Sequence, residues 1–160
     1  MTERATFLRN SYAGYYGALA KPAIDQNLTE GGPGTPGGEY LRRGWHPIGF
    51  SADLNDVPHR IRILGEDLVL FKDKSERVGL VALNCPHRGT SLEFGIIQER
   101  GIMCCYHGWV FDIDGKILET PGEPEDSTLK DRLWHGAYPV RDYKGLVFTY
   151  MGPPDKEPPF

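Results

Sequence analysis

The sequence predicts an all-β fold, a small antiparallel domain with two Cys/His loops at neighbouring hairpin tips, preceded by an irregular N-terminal arm. Three observations predict it. Short apolar runs recur from Trp45 onward with turn residues between them, the pattern of strands and hairpins. The chain holds 20 glycines and 13 prolines in 160 residues, enough for many turns and too few for a low-complexity segment. No stretch requires a long helix.

The elements follow in order. Residues 1–40 read as an arm: Tyr12, Tyr15 and Tyr16 have weak periodicity, and GGPGTPGGE (31–39) is a Gly/Pro segment expected to sustain neither helix nor central strand. Ile61 and Ile63 alternate with Arg60 and Arg62, a half-buried strand. DLVLF (67–71) follows across a two-residue hairpin signal at Gly65–Glu66. RVGLVAL (77–83) runs into the first Cys/His loop and GIMC (101–104) into the second. WVFDIDGKIL (109–118) leaves that loop as a hairpin turning at Asp114–Gly115. GAYPVRDYKGLVFTY (136–150) supplies two further strands around Lys144–Gly145.

Composition narrows the function. A net charge of −4 lacks the basic footprint of a nucleic-acid binder. No apolar run approaches the roughly 20 residues of a membrane span, and MTERATFLRN has no apolar signal core. The expected compartment is therefore the cytoplasm, where three cysteines do not make a disulfide framework.

Residues 85–89 read CPHRG and residues 104–109 read CCYHGW. Structural zinc sites usually pair Cys with Cys and His with His, whereas each loop here offers one of each. That mixture suits a binuclear centre with unlike ends, as in a Rieske [2Fe–2S] cluster, where two cysteines hold one iron and two histidines the other. Gly89 and Gly108 would let backbone N–H groups approach the sulfides, and Trp109 would cover the centre from water. Spacing alone leaves Cys104 and Cys105 both open. His46, His59 and His135 read as surface or packing residues, Arg88 as a hydrogen-bond donor near the centre or, in the favoured reading, one member of an ion pair, and GEPEDS (122–127) as a solvated loop.

With these residues the chain resembles the N-terminal part of the large subunit of aromatic ring-hydroxylating oxygenases, in the phthalate dioxygenase and aromatic O-demethylase branch. CPHRG and CCYHGWVFD are similar to that family's C-x-H-R-G and C-x-Y-H-G-W. GPGTPGGEYLRRGWHP, RILGEDLVLFKD and ETPGEPEDSTLKDR are similar too, so the resemblance spans about residues 28–155. It implies a Rieske-type β domain whose [2Fe–2S] cluster is held by Cys85, His87, Cys104 and His107. Cys105, where proline often stands, is left as a small buried side chain. Respiratory Rieske proteins pair extra loop cysteines in a disulfide, and the corresponding positions here are Thr90 and Tyr106. Their hydroxyl donors correspond to Trp109 and Phe111, which implies a potential in the lower part of the Rieske range.

The resemblance further implies an arm (1–40), a cluster domain (41–152) and a linker (153–160) toward a catalytic domain. That domain would hold the mononuclear non-heme Fe(II), and no catalytic residue is expected in this chain. Expected partners are the catalytic domain of the same or a neighbouring subunit and an NAD(P)H-dependent flavin/iron–sulfur reductase, within a homotrimer, with neither nucleic acid nor membrane. The runner-up is a free-standing Rieske ferredoxin. The 40-residue arm and the Pro-rich MGPPDKEPPF favour the oxygenase. Dihydroxylation and O-demethylation both stay open.

Overall fold

Residues 23–160 are described by the computed structural model of this chain, so Tyr12, Tyr15 and Tyr16 lie outside the described residues. The strand from His59 to Ile63 (β2) alternates half-buried isoleucines with exposed arginines and pairs antiparallel with Glu66–Lys72 (β3), Ile63 opposite Glu66. The turn between them is Leu64–Gly65, with φ of 46° and 81°, not Gly65–Glu66. A two-residue turn matched to strand twist needs positive φ at both central positions, which places glycine second. Lys144–Gly145, at 53° and 85°, repeats this geometry at its expected position.

β3 pairs with Val78–Ala82 (β4), which pairs with the short Ala137–Tyr138 (β9). β3 is buried on both faces, which is why it reads as a continuous apolar run. Val69 and Phe71 join one core with Val81, Leu92, Ile102, Phe111 and Ile117. Leu68 and Leu70 join another with Leu54, Leu80, Val147 and Met151. Each such side chain contributes about 1.5–3 kcal/mol on burial.

A second sheet, in the order β1–β11–β10, combines Trp45–Phe50 (β1), Leu146–Tyr150 (β11) and Val140–Tyr143 (β10). The third is built from two- and three-residue strands, Ile96–Ile97 (β5), Ile102–Met103 (β6), Val110–Phe111 (β7) and Ile117–Glu119 (β8), paired in sequence order. The β7–β8 connection contains Asp114–Gly115 as expected, and the Asp114 carboxylate accepts the Lys116 N–H at 3.0 Å.

Residues 31–39 depart from expectation. Pro36–Leu41 form a helix (α2), preceded by the single turn Gln26–Thr29 (α1). Thr35 caps α2, its hydroxyl accepting the Gly38 N–H at 3.1 Å, and Pro36 occupies the first helical position, where its missing N–H costs nothing. Gly38 is required by packing: a Cβ there would lie 2.0 Å from the Gly32 carbonyl oxygen. Arg42, just beyond, is 6% exposed, pairs with Glu66 at 2.7 Å and donates to the Leu64 carbonyl at 2.8 Å. Tyr138 donates to the same carboxylate at 2.8 Å. Burial and the Glu66 charge push its phenol up to about 12.

At the other end, residues 153–160 lie back on the second sheet. The Trp45 indole N–H donates to the Pro158 carbonyl at 3.1 Å, and the Phe160 ring meets Trp45 edge-on at 5.1 Å. Among the described residues no helix is long and apolar enough to cross a membrane.

Candidate functional site

The two loops are closed by the same pair of backbone hydrogen bonds. In the first, between β4 and β5, Cys85 N–H donates to the Thr90 carbonyl at 2.9 Å and Gly89 N–H to the Cys85 carbonyl at 2.8 Å. In the second, between β6 and β7, Cys104 N–H donates to the Trp109 carbonyl at 2.8 Å and Gly108 N–H to the Cys104 carbonyl at 3.1 Å. Gly89 and Gly108 hold φ of 74° and 72°, the left-handed conformation that favours glycine. Their N–H groups are thus spent on closing the loops. The N–H groups aimed at sulfur are those of His87 and Arg88, at the Cys85 thiol.

This matched closure puts Cys85 and Cys104 at equivalent loop positions. They are 3% and 2% exposed and their thiols meet. Burial pushes the Cys85 thiol up to about 11, with Cys104 adding to the rise and the two N–H donors opposing it. The histidines meet as well: the His87 and His107 rings lie edge-to-face, centroids 4.6 Å apart at 60°. The four expected residues are therefore brought together two by two, as a buried sulfur pair and an imidazole pair nearer solvent. His87 is half-buried and His107 exposed.

Two expectations need correction. Cys105 is exposed, because the turn that buries Cys104 directs the next residue outward. The favoured ion pair of Arg88 is absent: its side chain sits exposed on a loop tip, and among the described residues it has no carboxylate within ion-pair distance, whereas its backbone N–H donates at the centre, to the Cys85 thiol. His135, expected at the surface or in packing, is a packing residue: it is 6% exposed, with a ring nitrogen 2.8 Å from the Ala82 carbonyl and its ring 4.7 Å from that of Phe111. By contrast, residues 124–126 of the acidic run are exposed, as expected of a solvated loop.

Sequence reasoning also missed Asn84, whose side-chain N–H donates to the Gly89 carbonyl at 2.9 Å and braces the first loop. An Asx-type brace beside a loop glycine was the available signal. Pro121 lies against Gly108, 3.3 Å from where a Cβ would stand, a contact without a sequence signal.

Two buried thiols and two imidazoles set pairwise fit a two-iron cluster with one pair on each metal. Among the described residues no three or more His, Cys, Asp or Glu side chains converge as a single-ion site would require. The arrangement offers sulfur on the buried side and nitrogen toward solvent.

Comparison with known proteins agrees with this chemistry. A family described as "Rieske [2Fe-2S] domain" matches residues 44–144. The tert-butanol monooxygenase / tert-amyl alcohol desaturase oxygenase subunit of Aquincola tertiaricarbonis is 60% identical over 129 residues, 81% of this chain and 27% of that protein. The phthalate 4,5-dioxygenase oxygenase subunit of Pseudomonas putida is 41% identical over 128 residues, 78% of this chain and 29% of that protein. The crystal structure of dicamba monooxygenase bound to dicamba superposes with a TM-score of 0.67 at 26% identity, covering 74% of this chain and 37% of that one. The chain thus spans between a quarter and a third of the length of these two curated relatives.

Proposed function

This chain belongs to the Rieske [2Fe–2S] domain family, and on that premise we propose that it is the electron-transfer portion of a Rieske non-heme iron oxygenase. Cys85 and Cys104 would hold one iron and His87 and His107 the other. The observation that carries this assignment is the pairing itself, two thiols buried against each other and two imidazoles meeting edge-to-face. When bound, such a cluster supplies reversible one-electron transfer, and its imidazole-ligated iron makes it a readier acceptor than an all-cysteine cluster.

The chain's own groups have distinct parts in this. The N–H groups of His87 and Arg88 stabilise negative charge on the Cys85 sulfur. The core around Cys85 and Cys104, with Leu83, Leu92 and Ile97, excludes water from the sulfur side. His107, exposed at the tip of the second loop, is the imidazole open to a partner. That partner is proposed to be a catalytic domain in the same or a neighbouring subunit of a trimer, its mononuclear iron lying outside this chain. Electrons would arrive from an NAD(P)H-dependent reductase.

Relatives that are oxygenase subunits, matched over only part of their length, support this reading over a free-standing carrier. The substrates for which these relatives are named, a tertiary alcohol in one and phthalate in the other, differ, so substrate choice is left to the remainder of the protein. Iron and acid-labile sulfide analysis tests the proposal. About two irons and two sulfides per chain are expected, together with reduction by a reductase and NAD(P)H. One zinc per chain and no sulfide would refute it.

A further inference from the structure

Four aromatic rings stand in a row across the two loops. Trp109 stacks flat on His87, centroids 4.9 Å apart and planes 5° apart. His87 meets His107 at 4.6 Å, and His107 meets Tyr106 at 3.8 Å with a 41° tilt. Burial falls along the row: Trp109 is 4% exposed, His87 half-buried, and His107 and Tyr106 exposed. Trp109 is therefore the fixed end.

A histidine that binds metal must point one ring nitrogen at the ion, and proteins usually fix that orientation by hydrogen-bonding the other nitrogen to a carboxylate or carbonyl. Among the described residues neither ring nitrogen of His87 or of His107 has such a partner, whereas those of His46 and His135 do. Something else must set the plane of the His87 ring. Of the two rings that touch it, that of His107 is itself exposed, whereas the near-parallel indole is buried.

Trp109 also belongs to the other loop. Its carbonyl accepts the Cys104 N–H at 2.8 Å, the bond that closes the second loop, while its side chain lies against the histidine of the first. We infer that Trp109 is the positioning residue of the centre: its backbone closes one loop, its indole orients the ligand of the other, and it thereby sets the geometry of the imidazole-ligated iron. This rests on the ligand assignment proposed above. A plain hydrophobic shield could be any bulky side chain at this position; an orienting face must be flat and aromatic.

The test uses Trp109→Leu, Trp109→Phe and, as a packing control, Phe111→Leu, the last altering a fully buried ring of the same core. Electron paramagnetic resonance of each dithionite-reduced protein reads the geometry at the imidazole end, and iron release to a chelator reads retention. Trp109→Leu should shift and broaden the g-values and release iron on the order of ten-fold faster than wild type, the lower end of outer-sphere effects on metal sites. Trp109→Phe should restore the wild-type g-values, and Phe111→Leu should lose stability while keeping them. Wild-type g-values and release in Trp109→Leu overturn the inference, as does an equal spectral change in Phe111→Leu. Should Trp109→Leu yield no folded protein, Trp109→Phe and Trp109→Tyr decide, and altered g-values in both overturn it. A wild-type protein without any rhombic signal fails differently: it removes the cluster reading itself.

Discussion

The carboxylate of Asp73, at the end of β3, accepts the backbone N–H of Gly101 at 3.1 Å, at the start of the strand that leads into the second loop. The Asp73 side chain is fully buried and also accepts the Arg77 N–H at 2.9 Å and its guanidinium at 2.6 Å. Arg77 continues to Asp112 at 3.0 Å, and Arg100 closes on Asp112 from the other side. One buried carboxylate thus fastens the sheet of β2, β3, β4 and β9 to the sheet that carries the centre.

Asp73→Ala strands two backbone donors, one of them buried, so we expect a loss of about 2–4 kcal/mol, at about 1–3 per unsatisfied group. Asp73→Asn keeps part of the acceptor set and should lose less. Chemical denaturation followed by tryptophan fluorescence measures both. A change below about 0.5 kcal/mol in Asp73→Ala, the range of ordinary surface substitutions, would show that the fastening carries no weight.

His135 gives the fold an acid limit. Burial lowers its titration below the ordinary range, and the bond to Ala82 only partly offsets this. The folded state therefore favours neutral imidazole, while the unfolded chain protonates near pH 6.5. Stability from this group is complete above about 6.5 and declines as pH falls below it, since the unfolded state binds the proton first. The denaturation midpoint should hold from about pH 8 to 7 and fall between about 6.5 and 5, and His135→Gln should flatten that fall. An unchanged slope in the variant would contradict the assignment.

The adjacent cysteines are separable. Cys104 is 2% exposed and meets Cys85, whereas Cys105 is exposed. Cys105→Ser should therefore keep the visible chromophore and iron content of the wild type. Cys104→Ser should abolish both. Absorption spectra and iron analysis of the two purified variants decide, and the reverse outcome would transfer the ligand role to Cys105.

Arg42 fastens the segment before β1. Its guanidinium spans Glu66 at 2.7 Å and the Leu64 carbonyl at 2.8 Å, a fork that the point charge of lysine does not reproduce. Arg42→Lys should cost about 1–3 kcal/mol, the scale of a buried group left unsatisfied, and open residues 31–41 to proteolysis. Protection of that segment equal to wild type would remove Arg42 from this role.

The loops were legible because metal chemistry dictates residue type: Cys85, His87 and His107 stand out by spacing, while the choice of Cys104 over Cys105 came from the family resemblance. β3 and β4 were legible because burial on both faces leaves a continuous apolar run. The helix Pro36–Leu41 was not, since three local contacts, the Thr35 cap, Pro36 at the first position and the approach of Gly32 to Gly38, override a Gly-rich composition. Nor was β5, a two-residue strand too short for any periodicity. The bonds Asp73–Gly101 and Arg42–Glu66 join residues far apart in sequence, and no local pattern announces them. Cys105 and Arg88 were misplaced for a shared reason, because loop-tip direction depends on backbone closure rather than residue type.

The central claim is that two buried thiols and two imidazoles set edge-to-face hold one [2Fe–2S] cluster with unlike ends. Electron paramagnetic resonance of the dithionite-reduced protein tests it most directly. The account predicts a rhombic signal whose average g lies below the free-electron value, integrating to about one spin per chain, as a single one-electron centre requires. A silent spectrum from protein containing stoichiometric zinc would contradict it.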